Sequence, residues 1–428
     1  MRILVLYYQE YEKGIRRTIH EHLYSFKRYS RANCHYLNVS WGIPWYISKI
    51  RFDLIIYHYT ICACKWELAH FIRFQKKWGN LKNIMGYKVA IPQDEYVHSE
   101  AMNKFFQDFG IKSVFTALSE TEWQKVYPKE ASGLEHYVTV FTGYIDEEAV
   151  KEISAFRSEN RDIDIGYRAR KLPYWIGRHG QLKTTIAKHF LNAAVPHRLN
   201  LDISLNPEDV FFGNDWYRFL CRCRTALGCE GGASLHDPTG NIRKKVDDYV
   251  ARHPEASFDE VEQVSFPGQD GNLNLFALSP RHFECAITKT CQVLVEGEYA
   301  GVLKPGVHYI EVKKDWSNIA QVIRQIEDRT YCEKIAENAY RDIVQTELYT
   351  YRRFVQTVMD HIRELKSSPN EEKCCMLNKF FLYLLDQRER LGKLFTFISF
   401  LKVVLKKTIK KFLSALGLLG YYYRLRGY

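Results

Sequence analysis

The sequence predicts an α/β protein in which two open parallel sheets, each wrapped by helices, follow one another, and three observations predict it. Short apolar runs recur from Ile3 to Val312, separated by helix-length amphipathic stretches rather than by two-residue turns. Parallel strands require such long crossovers, whereas hairpins do not. The series then restarts after the break Thr142-Gly143-Tyr144 and a charged helix through Arg157. A repeated α/β plan on either side of a linker predicts two Rossmann-like halves facing each other across a cleft.

In the first half the strands read as Ile3–Tyr7, His35–Val39, Asp53–Tyr57, Lys88–Ile91, Ser113–Phe115 and Tyr137–Phe141. The first crossover is the helix Gly14–Tyr29, with Ile15, Ile19, His22 or Leu23, and Phe26 on its buried stripe. Open sheets present catalytic groups at the carboxyl ends of their strands. Two such ends carry polar groups: His58 after Asp53–Tyr57, and Gln93-Asp94-Glu95 after the fourth strand. Asp94 or Glu95 is the expected general base of an inverting reaction; the alternative is that Asp94 caps the next helix. His20, mid-helix, is either a catalytic group or a packed or surface histidine.

The second half reads as strands at Asp162–Tyr167, His197–Ile203, Arg222–Leu227, Leu273–Leu278, Gln292–Val295 and His308–Val312. Its first strand ends in Gly166-Tyr-Arg168-Ala-Arg170-Lys171, followed by Gly177-Arg178-His-Gly180-Gln-Leu-Lys183. Glycine lets backbone approach a ligand, and the cations after it suit phosphate oxygens; the same letters also fit a solvated loop. Glu230, before Gly231-Gly232, suits a sugar hydroxyl or proton transfer, or lies in a plain tight turn. Pro238–Pro267 reads as a helical excursion on the surface.

The most informative stretch is Asn272–Glu311. It reads as a βαβ unit: strand Leu273–Leu278, loop Ser279-Pro280-Arg281, helix His282–Lys289 and a second strand from Gln292. Arg281 and Glu284, three residues apart, share one side of the helix's first turn. A guanidinium with free backbone N–H groups suits a diphosphate, and a carboxylate suits ribose hydroxyls. The helices between Trp316 and Asp360 carry packing patterns, and the last is expected to cross back to the first half.

Composition sets the outer limits. The 428 residues, 46% hydrophobic and 26% charged, fit two ordinary globular domains plus a tail. The net charge is +11, and between Glu371 and Tyr428 twelve Lys and Arg stand against four Asp and Glu, leaving +8 there. The eleven cysteines lack zinc spacing and are odd in number, so reduced thiols in a cytosolic setting are expected. Arg2 leads directly into the first strand, without the features of a signal peptide.

In the tail, Lys402, Lys406 and Lys410 share one helical face while Ile398, Leu401, Leu405, Ile409, Phe412 and Leu416 share the opposite one. A basic stripe facing an apolar one predicts a helix in the plane of an anionic membrane; a docked helix or an oligomer contact is the alternative. Leu394–Leu405 is shorter than a spanning helix. The apolar residues between the charges and the absence of any recognised nucleic-acid module argue against a nucleic-acid partner.

The segments PRHFECAITKTCQVLVEGEYAGVLKPGVHYIEVKKDW and YCEKIAENAYRDIVQTELYTYRRF resemble the carboxyl-terminal half of GT-B glycosyltransferases, in particular the CgeB-like group within the group 1 families. The resemblance covers the second half well and the first by general plan. Its ribose-binding glutamate falls on Glu284; Thr290 replaces a frequent glycine, and Phe276 the earlier glutamate of the signature. By the same resemblance Arg168 and Lys183 hold the diphosphate, and His308 and Tyr309 line the nucleotide pocket. The implied protein is a metal-independent, hexosyltransferase-type enzyme without a cofactor. It takes a nucleoside-diphosphate sugar as donor and a glycan or lipid-linked glycan as acceptor in cell-surface polysaccharide synthesis, at the cytoplasmic face of the membrane. Domains are expected at 1–145 (acceptor), 146–355 (donor), 356–370 (return helix and linker) and 371–428 (basic tail). A catalytically silent scaffold on the same fold, or a nucleotide-sugar epimerase, are the alternatives.

Overall fold

Ile3, Leu4, Val5 and Leu6 are all fully buried in strand β1 (Arg2–Tyr7), and a strand buried on both faces belongs inside a sheet rather than at its edge. The computed structural model, which describes residues 1–10, 17–156, 160–211, 213–365 and 377–394, places it there. β1 lies between β2 (Asn33–Asn38) and β3 (Arg51–Tyr57), and the sheet continues through β4 (Met85–Ala90), β5 (Ser113–Thr116) and β6 (His136–Thr139). All five pairings are parallel. The first crossover is the helix Arg17–Tyr29, which buries Leu23 and Phe26 against β1.

The second sheet has the order β13-β12-β9-β7-β8, again parallel throughout. Its strands are β7 (Ile163–Arg168), β8 (Leu201–Ser204), β9 (Cys223–Gly228), β12 (Cys291–Val295) and β13 (Tyr309–Val312). The expected strand Leu273–Leu278 is not among them. Its core, β11 (Leu275–Ala277), pairs antiparallel with β10 (Gly231–Ala233) in a separate ribbon. Alternation explains this: Leu275 is buried while Phe276 faces solvent, so the segment cannot be covered on both faces as a central parallel strand must be. Gly232 is required in this ribbon, because its φ is +98° and a Cβ there would overlap the Leu275 carbonyl.

The excursion between β10 and β11 is not a surface appendage. Its helices Asn241–Arg252 and Phe258–Ser265 send Ile242, Val246 and Val261 into one apolar core with Val97, Tyr96 and Met102 of the first domain. Backbone bonds stitch the seam: His98 N–H to the Asp237 carbonyl (2.9 Å) and Asp237 N–H to the Tyr96 carbonyl (2.8 Å). The second domain therefore grips the first by a loop-and-helix clamp.

The chain then returns. The helix Tyr351–Leu365 packs Phe354, Val355, Val358 and Ile362 against Ile3, Val5, Leu23 and Phe26, and a further helix at 377–394 lies against the β2 side of the same domain. Two facing Rossmann-like domains with a returning C-terminal helix constitute the GT-B architecture. The tail stripe from Ile398 to Leu416, with Lys402, Lys406 and Lys410, lies outside the described residues. Among the described residues none of the nine cysteines forms a disulfide, and no helix is long and apolar enough to cross a membrane.

Candidate active site between the two sheets

Asp94 follows β4 in a left-handed backbone conformation (φ 53°), which is unfavourable for a residue with a Cβ and marks a position held by its surroundings. The holding group is Lys65, fully buried, whose Nζ donates to the Asp94 carbonyl at 2.6 Å. The neighbouring Gln93 donates to the Thr142 carbonyl (2.8 Å), and Thr142 Oγ1 to the Leu278 carbonyl (3.0 Å). Gly143 lies so close to Pro280 that a Cβ would come within 2.6 Å of its ring. This chain of contacts sets the Asp94 loop against the start of the helix Pro280–Ile287 in the other domain.

Asp94 is solvent-accessible, and the protein packed around it raises its carboxyl above the ordinary value by desolvation, with Lys65 and Lys183 opposing. Lys183, half-buried on the helix Arg178–Ala193, is lowered by burial and by the adjacent Arg281, with Cys229 and Asp94 opposing. Among the described residues the Lys183 ammonium has no hydrogen-bond or ion-pair partner, although the residue's carbonyl accepts from the Tyr167 hydroxyl (3.1 Å). Arg281 donates one bond, from Nη2 to the Arg168 carbonyl (2.5 Å), and lies 5.3 Å from the ring centres of both Tyr167 and Trp216.

Glu284 completes the group. Its Oε2 accepts from Trp216 Nε1 at 2.7 Å, and burial raises its carboxyl while Trp216, Arg281 and Arg17 oppose. Arg17 reaches from the first domain to Glu21 (2.6 Å), to Asn214 (2.5 Å) and to Glu152 (3.0 Å) in the second. Burial pushes the Glu21 carboxyl to about 7. The structure thus brings together Asp94, Lys183, Arg281 and Glu284 from the sequence expectation. It adds Trp216, Tyr167, Arg17 and Glu21. Helical phase gives the only sequence signal for Glu21, one residue and 100° from His20.

Other expected residues have different occupations. Glu95 turns into the first domain's core, where it accepts from the Thr116 hydroxyl and from the Ala117 N–H (3.1 Å), and burial raises it to about 7. His20 faces outward beside Tyr24, Lys27 and Lys393. His58 is fully buried with its Nε2 3.0 Å from His22 Nδ1. Gly166 is a packing glycine, since a Cβ there would overlap the Cys223 sulfur and touch the Phe219 ring. The Arg168 guanidinium donates to the carbonyls of Asp209 (3.1 Å), Tyr167 (2.9 Å) and Asp202 (2.8 Å) and to the Asp202 carboxylate (2.7 Å).

Glu230 is buried and accepts the Tyr299 N–H (2.7 Å), bracing the turn after β12. His308 accepts from the Lys304 N–H (3.2 Å) at Nδ1 and contacts Asp342 (3.1 Å) through Nε2. Tyr309 is fully buried beside Tyr299. The amides that open the Arg178–Ala193 helix are also occupied: Arg178 N–H by Asp270 (3.1 Å) and His179 N–H by Ser234 (3.1 Å).

The arrangement offers an unengaged ammonium, Lys183, beside a guanidinium that makes a single hydrogen bond, Arg281, with the Asp94 carboxylate opposite and the Glu284 carboxylate against Trp216. Cations so placed stabilise a departing anion, and a desolvated carboxylate accepts a proton. No family model matches the chain, and no curated protein matches it. Solved structures do. Anabaena HepE in complex with UDP-glucose aligns with a TM-score of 0.43 and 11% identity over 85% of this chain and 100% of that one. The T4 phage β-glucosyltransferase aligns at 0.46 and 11% over 85% and 99%, and sucrose-phosphate synthase from Thermosynechococcus elongatus at 0.41 and 10% over 85% and 99%.

Proposed function

We propose that the protein is a glycosyltransferase that moves a sugar, of hexosyl type, from a nucleoside diphosphate to a hydroxyl of a glycan or lipid-linked glycan. The observation that carries this reading is the unpartnered Lys183 beside Arg281, with Glu284 one helical turn along and Asp94 facing them. In the reaction the acceptor oxygen bonds to the anomeric carbon as its proton passes to the Asp94 carboxylate. The bond from that carbon to the diphosphate breaks, and its electron pair leaves on a phosphate oxygen held by Lys183 and Arg281. The raised Asp94 carboxyl makes it a stronger base than an ordinary aspartate. Glu284 keeps one carboxylate oxygen for ribose while the other holds Trp216.

Two side-chain cations neutralise the leaving group here, so the reading needs no metal and no cofactor. CgeB-like kinship, a role in cell-surface polysaccharide synthesis and attachment at the cytoplasmic face of the membrane complete the proposal.

The bond between Glu284 and Trp216 also favours a second reading, a silent scaffold in which this carboxylate is purely structural. Titration calorimetry with a panel of nucleoside-diphosphate sugars separates the two. The transferase binds at least one donor and loses it in Lys183→Ala and Glu284→Ala. Absence of heat with every donor, or affinity unchanged in both variants, leaves the scaffold.

A further inference from the structure

The helix at 377–394 has one face fully engaged and one face open. On the engaged face Phe381 stacks on Tyr46 (5.3 Å between centroids, 4° between planes) and Leu385 is completely buried. Arg388 donates to the carbonyls of Trp41 (2.5 Å) and Gly42 (3.0 Å). Both acidic residues of the helix bond to the first domain, the buried Glu389 to the Tyr7 hydroxyl (2.6 Å) and the partly exposed Asp386 to His35 (2.8 Å). These contacts fix the helix against the first domain.

On the open face Leu377, Phe380, Tyr383, Leu391 and Leu394 are each more than half exposed. At 100° per residue they fall within about 120° of arc, a single apolar stripe. Trp45, 65% exposed, extends it: its ring lies 5.8 Å from Phe381, with the Lys49 ammonium 4.8 Å away over its face. The exposed cations Lys379 and Arg390 flank the stripe, while Lys393 lies further round the helix, paired with Glu389 at 3.6 Å. On the side of the helix that faces Arg17–Tyr29, a basin of about 410 Å³ is lined by His20, Tyr24, Lys27, Arg28 and Lys393, with Arg28 paired to Asp146 and Lys393 to Glu389.

We propose that this face is the contact of the protein with an anionic bilayer. Apolar side chains with a tryptophan at their margin suit the boundary between headgroups and acyl chains, and the surrounding lysines and arginines suit lipid phosphates. A row of exposed apolar residues of this extent marks an interaction surface. Charge selects the occupant. Asp386 and Glu389 are tied to His35 and Tyr7, while Lys379 and Arg390 stand exposed beside the stripe, so a second copy would meet its own sign there, whereas a lipid phosphate surface would meet the opposite one.

The chain beyond the described residues points the same way. In sequence, the spacing Leu391, Leu394, Ile398, Leu401, Leu405, Ile409, Phe412 and Leu416 continues in steps of three and four, and positions 395–428 hold seven Lys and Arg and no Asp or Glu. The contact therefore lies on the acceptor-side domain itself, which fixes that domain's orientation at the surface instead of leaving it on a tether.

The test is vesicle flotation of the full-length chain with phosphatidylcholine alone and with added phosphatidylglycerol. The variants are Phe380→Glu with Leu391→Glu, and Lys379→Glu with Arg390→Glu. Because all four side chains are exposed, the variants should melt like the wild type. The wild type is expected to float only with phosphatidylglycerol present, and each double variant to bind at least about tenfold less, equivalent to about 1.4 kcal/mol. A wild type that stays with the pellet on anionic vesicles overturns the proposal. So does an apolar-stripe variant that floats like the wild type. A dimer dissolved by that variant with vesicle binding intact assigns the stripe to a second copy. Donor calorimetry on the same variants, expected unchanged, keeps this outcome separate from that of the transferase reading.

Discussion

Arg168 and Arg281 sit a single hydrogen bond apart in the same domain, one at the end of β7 and the other in the first turn of the helix Pro280–Ile287. Their charges are identical and their availability is opposite. Arg168 makes four hydrogen bonds to Asp209, Tyr167 and Asp202 and packs over the rings of Phe211 and Phe219. Arg281 makes one, and its remaining donors lie between two aromatic rings beside a lysine that makes none. A basic cluster becomes a ligand site only where the fold leaves donors unmet. Satisfied arginines beside it serve as framework.

The strongest way to break this contrast is to remove the unengaged cation. Lys183→Ala should lower kcat/KM for sugar transfer by about 10²–10³-fold, the usual cost of losing one group that stabilises a leaving anion. The melting temperature should hold or rise, because a desolvated lysine without a partner opposes folding. A stability loss with unchanged transfer would make Lys183 structural and erase the distinction.

Arg168→Ala should do the reverse. It removes four bonds and leaves Asp202 and three carbonyls unmet, so a loss of about 3 kcal/mol in denaturant titration is expected, with donor affinity changed less than about threefold. If donor affinity falls as far as in Lys183→Ala, the two arginines belong to one site.

Adjacent carboxylates extend the same contrast into pH. Asp94 faces the cleft, whereas Glu95 is buried among Thr116, Ala117 and Lys65 and is raised to about 7. A carboxyl with a raised folded-state pKa contributes stability that is fully present below its unfolded value and is lost as pH rises through the folded value. Wild type should therefore lose on the order of 2 kcal/mol relative to Glu95→Gln between pH 5 and about 7.5, with Lys65 softening the loss. Denaturant midpoints of the two proteins across that range check it; parallel curves would mean that Glu95 stays ionised throughout.

The strands were legible where burial on both faces left no polar letter, as in Ile3–Leu6 and Leu54–Tyr57. The pattern gave way at Leu273–Leu278, where a short apolar run fits a sheet interior and a ribbon equally until its partner is known. Glycine was ambiguous for a related reason. Gly166 leaves room for a sulfur and a phenyl ring, which a sequence cannot tell from room for a phosphate. Lys183, Arg281, Glu284 and Asp94 could be placed near strand ends or helix starts, but which donors remain open depends on partners distant in the chain. Asp202, which takes Arg168, is 34 residues away, and Asp270, which takes the Arg178 amide, is 92. The clamp of residues 235–273 reads in sequence as a surface excursion because its apolar positions cover another domain rather than their own.

The helix N-termini give the finest form of the comparison. The Arg178–Ala193 helix begins at a glycine with φ +86°, the sequence pattern of a phosphate-cradling turn. Asp270 occupies it instead, accepting from Arg178 N–H (3.1 Å) and from the Ser234 hydroxyl (2.7 Å), while Ser234 accepts from His179 N–H. A carboxylate already complements this helix end, so a donor phosphate there would meet like charge. Asp270→Ala should then cost about 1 kcal/mol of stability, as the loss of a cap does, and leave donor affinity where it was. Thermal melting with calorimetry on the same sample reads both quantities. Tighter donor binding in Asp270→Ala would show that the phosphate competes for these amides, and would move the diphosphate from the Arg281 side of the cleft to the start of the Arg178–Ala193 helix.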